Sequence, residues 1–193
     1  TEGLVGFQID FENTFGLAGD RIIDDGSGST TNNGATVTFD RSAPTLNPVT
    51  VTSNNDNPLY AKVGDIITLS FTSIEPIQDP PTVVFLNTPG DNRAGAVSGS
   101  GTSWNATYTM QNSDTEGDVD FYIDFVDIAG NIGTRETSPS SGSEIVFDRE
   151  TPDLTTVDIS SENSDPTLSK VGDVITLAIT SDEDIQIPTI TIA

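Results

Sequence analysis

The segment KVGDIITLSFTS from Lys62 returns as KVGDVITLAITS from Lys170, an offset of 108 residues. The same offset carries Phe39-Asp40-Arg41 onto Phe147-Asp148-Arg149, Pro44 onto Pro152, Glu75 onto Glu183 and Ile77-Gln78 onto Ile185-Gln186. A second pair, TEGLVGFQIDF from Thr1 and TEGDVDFYIDF from Thr115, lies 114 residues apart because the loop after its first copy is longer. One period holding over many separate matches predicts a tandem array. By that period the chain divides into the C-terminal part of one repeat (1–42), a complete repeat (43–150) and the N-terminal part of a third (151–193). A partial repeat of that size buries too little apolar surface to fold by itself. A window on a longer polypeptide is therefore the expectation. Completion of the partial repeats by neighbouring chains, which implies a fibre, is the alternative.

Within each repeat the apolar residues recur with period two. Val119, Phe121, Ile123 and Phe125 alternate with Asp118, Asp120, Tyr122 and Asp124, the pattern of a strand with one buried face. Val5, Phe7, Ile9 and Phe11 repeat it and are expected to point inward. Ile67, Leu69 and Phe71 predict a second strand, matched by Ile175, Leu177 and Ile179. Trp104, Ala106, Tyr108 and Met110 predict a third, and Val83 with Phe85 a fourth. Turn signals separate them at Val63-Gly64-Asp65, Thr88-Pro89-Gly90-Asp91, Gly99-Ser100-Gly101 and Ala129-Gly130-Asn131. No window of helical length has a 3.6-residue apolar period. The reading is all-β: tandem immunoglobulin-like β-sandwich domains of about 108 residues, each with about seven short strands.

Composition then limits the chemistry. The chain has no His and no Cys, which excludes Ser-His-Asp and Cys-His nucleophile systems, zinc sites of the usual kind and disulfides. Its 30 Asp and Glu against 7 Lys and Arg give a net charge of -23, which repels a phosphate backbone and anionic membranes. The same charge favours divalent cations or basic partners. No apolar stretch approaches the roughly 20 residues of a membrane span, and no signal peptide is read in these residues.

The ordered set FDR-x-x-P, AKVGD before an apolar strand, TS-x-E, a strand with a Trp, TEG and FVD-x-AGN resembles bacterial immunoglobulin-like repeats of large extracellular adhesins and surface fibre proteins. The resemblance covers the whole chain. It implies an extracellular or cell-surface location, a stalk-forming or adhesive role, and calcium at the junctions between domains. Its partners would be neighbouring repeats, other copies in a fibre, or a surface ligand. The first copy departs from the pattern: Asn13-Thr14-Phe15-Gly16-Leu17 stands where the complete repeat has Asp127-Ile128-Ala129-Gly130-Asn131.

In such a sandwich the loop carrying Asp127 and Asn131, the loop carrying Glu75 and the incoming linker at Asp40 share one pole. Carboxylate and amide oxygens in that mixture suit calcium, which takes 6 to 8 oxygen ligands. The next junction offers Asp148, Asp182 and Glu183, with a loop partner expected after Ala193. The loop from Asp20 to Asn33 has calcium-loop letters but fails the EF-hand pattern, and reads as a flexible connection. No catalytic role is expected: there is no Asp-Thr/Ser-Gly motif, no His base, and the two lysines, Lys62 and Lys170, occupy the same turn of successive repeats.

A calcium-stiffened stalk or fibre element is thus the leading expectation, with Pro44 and Pro152 fixing the backbone at the hinges. An adhesive binding module for carbohydrate or a host ligand is the alternative. Against it, Trp104 and Tyr108 lie in phase with the buried face, leaving Tyr60 and Tyr122. Thr107 and Thr109 are not expected to extend into a regular threonine array.

Overall fold

The structure is a computed structural model that describes residues 2–78, 80–86, 92–142 and 144–191. The expected turn at Thr88-Pro89-Gly90-Asp91 lies outside the described residues. The chain falls into two units, residues 1–148 and 149–193. Among the described residues every regular element is a strand, and no helix is long and apolar enough to cross a membrane.

The first unit begins with β1 (Gly3–Leu4), β2 (Phe7–Ile9), β3 (Ile22–Asp24) and β4 (Thr38–Phe39). β1 pairs with β4 and β2 with β3, both antiparallel. There follow β5 (Leu46–Ser53), β6 (Tyr60–Ala61), β7 (Ile66–Ser73), β8 (Thr82–Phe85), β9 (Arg93–Ala94), β10 (Ala96–Ser100), β11 (Ser103–Thr109), β12 (Gly117–Asp118), β13 (Phe121–Asp124) and β14 (Val146–Phe147). They form a four-stranded sheet in the order β10-β11-β7-β5 and two three-stranded sheets, β13-β8-β9 and β12-β14-β6. The last of these contains a parallel pair, β14 with β6.

The period-2 pattern explains the layers. β7 alternates buried Ile67, Leu69 and Phe71 with half-buried Thr68, Ser70 and Thr72. Leu46, Val49 and Val51 of β5 and Trp104 and Ala106 of β11 point the same way. Facing them across the core are Val83, Phe85, Phe121, Ile123 and Phe147. Each of the larger aliphatic and phenylalanine side chains stabilises the fold by about 1.5–3 kcal/mol through removal of apolar surface from water. This two-layer, sandwich-like arrangement is what the alternation predicts. Tyr108 and Val119 are only partly buried at its edge.

Segments related by the sequence offsets share local geometry. Gly64, at φ +93°, turns the chain before β7, and Asp65 closes that turn by accepting from Lys62 N at 2.8 Å and Asn55 Nδ2 at 2.7 Å. Asp173 does the same with Lys170 N and Asn163 Nδ2, both at 2.9 Å. Arg135 pairs with Asp124 as Arg21 pairs with Asp10. Gly133 and Gly19 each lie against a ring, Phe125 and Phe11 respectively.

Burial differs between the copies, which corrects the expectation for Val5, Phe7, Ile9 and Phe11. Their relative exposures are 47%, 37%, 46% and 51%, against 2% or less for Phe121, Ile123 and Phe125. The cause is the lack of a covering layer: residues 2–42 hold no counterpart of the β5-β7-β11 sheet. In the second unit β15 (Leu154–Ser161) pairs antiparallel with β16 (Ile175–Ser181), and Ile175, Leu177 and Ile179 are half-buried for the same reason.

Candidate functional site

Three of the expected ligands meet. Asp40 follows β4, Glu75 follows β7, and Asp127 follows β13, and one carboxylate oxygen from each lies within 4.8 Å of the other two. Among the described residues this is the one such group of three acids. The pole holds together because Ile77 bridges to Asp127 and Gln78 N donates to Val126 O at 2.8 Å, tying the Glu75 loop to the Asp127 loop.

Asp127 is buried and rigidly held. Its Oδ1 accepts from Gly130 N at 2.7 Å and Asn131 N at 2.8 Å, and its Oδ2 accepts from Asn131 Nδ2 at 2.8 Å. Gly130, at φ +100°, adopts the left-handed conformation this tight loop requires. Burial alone raises the Asp127 pKa. The hydrogen bonds from Asn131, Gly130 and Ala129 outweigh it and hold the carboxyl below the usual range. Glu75 goes the other way: burial, then the negative charges of Asp40, Asp127 and Glu2, push its pKa up. Asp40 Oδ1 accepts from Ser42 N at 3.0 Å.

Asn131, the fourth expected ligand, lies at the same loop and braces Asp127 through its Nδ2. Asp148 ends the first unit, with its N donating to Ala61 O at 2.9 Å, and half-buried Glu183 belongs to the second unit. Each is described within its own unit.

Glu2 was not foreseen. It accepts from Ser42 Oγ at 2.7 Å and faces Arg41 at 3.6 Å, and that serine bond leads the effects that lower its pKa. The signal lies in the β1–β4 register, where Gly3 opposite Phe39 brings Glu2 beside the Asp40 linker. Asp24, in the loop read as a flexible connection, is a buried organiser. It accepts from Thr30 N, Thr30 Oγ1, Gly26 N and Gly28 N, with the Thr30 bonds foremost in lowering its pKa to about 2. Its oxygens are committed to its own loop.

The outer face of the four-stranded sheet lines up hydroxyl-bearing residues across its strands, in mixed rows and not as a regular threonine array. Cross-strand registers place Thr50, Ser70, Asn105 and Ser98 in one row and Thr52, Thr68, Thr107 and Ala96 in the next. Thr72, Ser103 and Ser100 form a third row. None of these positions carries a charge. On the other side of the sandwich Tyr122 lies beneath Arg135, 4.0 Å from ring centre to guanidinium carbon, while Tyr60 is half-exposed on β6. These tyrosines are on different sheets and form no shared platform.

No protein-family model matches the chain, and a search among curated proteins returns no similar sequence.

Proposed function

We propose that this chain is a structural repeat segment of an extracellular bacterial surface protein, acting as a calcium-stiffened stalk or fibre element built from tandem immunoglobulin-like domains. The strand order supports the domain type: β5, β7, β11 and β10 form one sheet, in the ABED order of a constant-type immunoglobulin sandwich, and β8 and β13 pair in the facing layer. The shared turn geometry at Asp65 and Asp173 and the shared Arg–Asp pairs support the repeat.

The observation that carries the reading is the convergence of Asp40 with Glu75 and Asp127. Asp40 comes from the segment before the complete repeat, and the other two come from the repeat itself. A cation held there joins the two segments. Three hard anionic oxygen donors, one of them preset by its own loop, fit calcium's flexible oxygen coordination better than the tight octahedron of magnesium.

The test is calorimetric titration of the 193-residue chain with calcium and with magnesium, paired with thermal melting in EDTA. Binding heat with calcium, a lower melting temperature in EDTA, weak response to magnesium and loss of all effects in Asp127→Ala are expected. Absence of binding heat together with identical melting curves would show that the three acids hold no cation.

An adhesive binding module is the second reading, favoured by the uncharged hydroxyl-bearing face of the four-stranded sheet in so acidic a chain. A glycan array probed with the chain distinguishes the two: specific binding supports this reading over a pure spacer.

A further inference from the structure

The loop between β3 and β4 is six residues longer than its counterpart after Glu136, since the offset falls from 114 to 108 across it. It contains the chain's one Asn-Gly pair, Asn33-Gly34, and its one Asp-Gly pair, Asp25-Gly26. Every other asparagine precedes a residue that carries a β-carbon. A following glycine matters because its unhindered amide nitrogen can reach the side-chain carbonyl carbon of the residue before it.

Asn33 is held for that approach. Its Oδ1 accepts from Ala35 N at 3.1 Å, an Asx turn that folds the carboxamide back over the Gly34 peptide. Asn33 and Gly34 are exposed, and the Gly34 N–H makes only a long 3.2 Å bond to Thr31 O. Asp25 makes the same turn, with Oδ1 accepting from Ser27 N at 2.9 Å, but the neighbouring Gly26 is buried and its N donates to Asp24 Oδ1 at 2.7 Å. That nitrogen is committed, and an ionised carboxylate is a poor electrophile. The two pairs are therefore not equivalent.

We infer that Asn33 is a site of spontaneous covalent modification, deamidating through a succinimide formed with Gly34. The Gly34 nitrogen loses its proton to solvent base and bonds to Asn33 Cγ, and the side-chain nitrogen departs as ammonia. Water then opens either carbonyl of the ring, leaving aspartate or isoaspartate, with no oxidant or reductant involved. The net charge moves from -23 to one unit more negative. Isoaspartate also inserts a methylene into the backbone ahead of Gly34. Gly28 packs so closely on that segment that a β-carbon there would lie 2.7 Å from Gly34 O. The inserted methylene thus displaces the Gly28 contact, and with it the Asp24 turn that Gly28 N helps to close. The loop carries a time-dependent change in charge and shape.

The experiment incubates the purified 193-residue chain in mildly alkaline buffer. Isoaspartate is labelled with an isoaspartyl methyltransferase and mapped by mass spectrometry, where the tryptic peptide 22–41 contains the whole loop. Labelling is expected to concentrate in that peptide, to accompany an acidic shift on isoelectric focusing, and to be lost in Asn33→Gln. It should proceed at least as fast in the folded chain as in urea. Labelling centred on another asparagine, labelling of the peptide that survives Asn33→Gln, or slower reaction in the folded state would each overturn the inference.

Discussion

Gly133 and Gly19 occupy equivalent places in the two copies of one loop, and the same substitution should affect them very differently. A β-carbon added at either position overlaps an aromatic ring, Phe125 or Phe11. Neither glycine has a positive φ, so alanine meets no backbone strain and only the ring decides the outcome. Phe125 is 2% exposed and fixed among the core side chains, whereas Phe11 is 51% exposed and can swing into solvent. Overpacking a filled core by one methyl costs about 1–3 kcal/mol, while a surface change without such a clash stays within about 0.5 kcal/mol. Gly133→Ala should therefore lose about 2 kcal/mol and lower the melting temperature by about 10 °C for a domain of this size. Gly19→Ala should leave both nearly unchanged. Trp104 is the chain's single tryptophan and is buried in β11, so its fluorescence during urea unfolding reports on the complete sandwich alone. Unfolding of the Gly19 loop region is followed separately by amide hydrogen exchange of Gly19, whose N donates to Phe11 O at 2.8 Å. Equal destabilisation by the two variants, or none from Gly133→Ala, would refute the claim that burial of the opposing ring sets the cost.

Three further outcomes follow from the acids. In cation-free buffer at neutral pH, Glu75→Gln should raise the melting temperature: a carboxyl whose folded pKa is raised loses stability as pH climbs from its ordinary pKa through the folded one, and the amide removes that penalty. The same variant should weaken calcium binding in calorimetry. Asp24 has a folded pKa lowered to about 2, so its contribution is complete above the ordinary carboxylate range and is lost as pH falls through about 2. The Gly26, Gly28 and Thr30 amide resonances should move together with that midpoint in an NMR titration. Asp114 is buried and accepts from Tyr108 Oη, Gln111 N and Arg93 Nε. Asp114→Ala should cost about 3 kcal/mol in urea unfolding by stranding those donors, with Tyr108→Phe distinctly milder.

The limits of the sequence reading have a common physical origin. Alternation along one strand fixes which residues share a face, and so it gave Ile67, Leu69 and Phe71 inward and Trp104 with Ala106 beside them. It says nothing about which strands are neighbours. Thr107 looked isolated because its companions, Thr68 and Thr52, lie 39 and 55 residues earlier and meet it only through the β11-β7-β5 order, whereas Thr109 lies opposite Ile66. Asp40, Glu75 and Asp127 are as far apart in sequence, yet they were legible because a sandwich of the kind the motifs resemble carries their three loops at one pole. Glu2 and Asp24 escaped that logic. Glu2 reaches the site through a two-residue pairing of β1 with β4, and Asp24 lies in the segment where the period breaks. Inward-facing residues such as Phe7 also need a second layer to become buried, and a period-2 pattern describes only the strand that carries it. Periodicity therefore locates loops and faces, whereas contacts that depend on lateral strand order or on an insertion must be found in three dimensions. The same reasoning makes Thr68 the informative position for the hydroxyl face: it sits between Thr52 and Thr107, so a lysine there places charge at the centre of the rows while leaving the buried face of β7 intact.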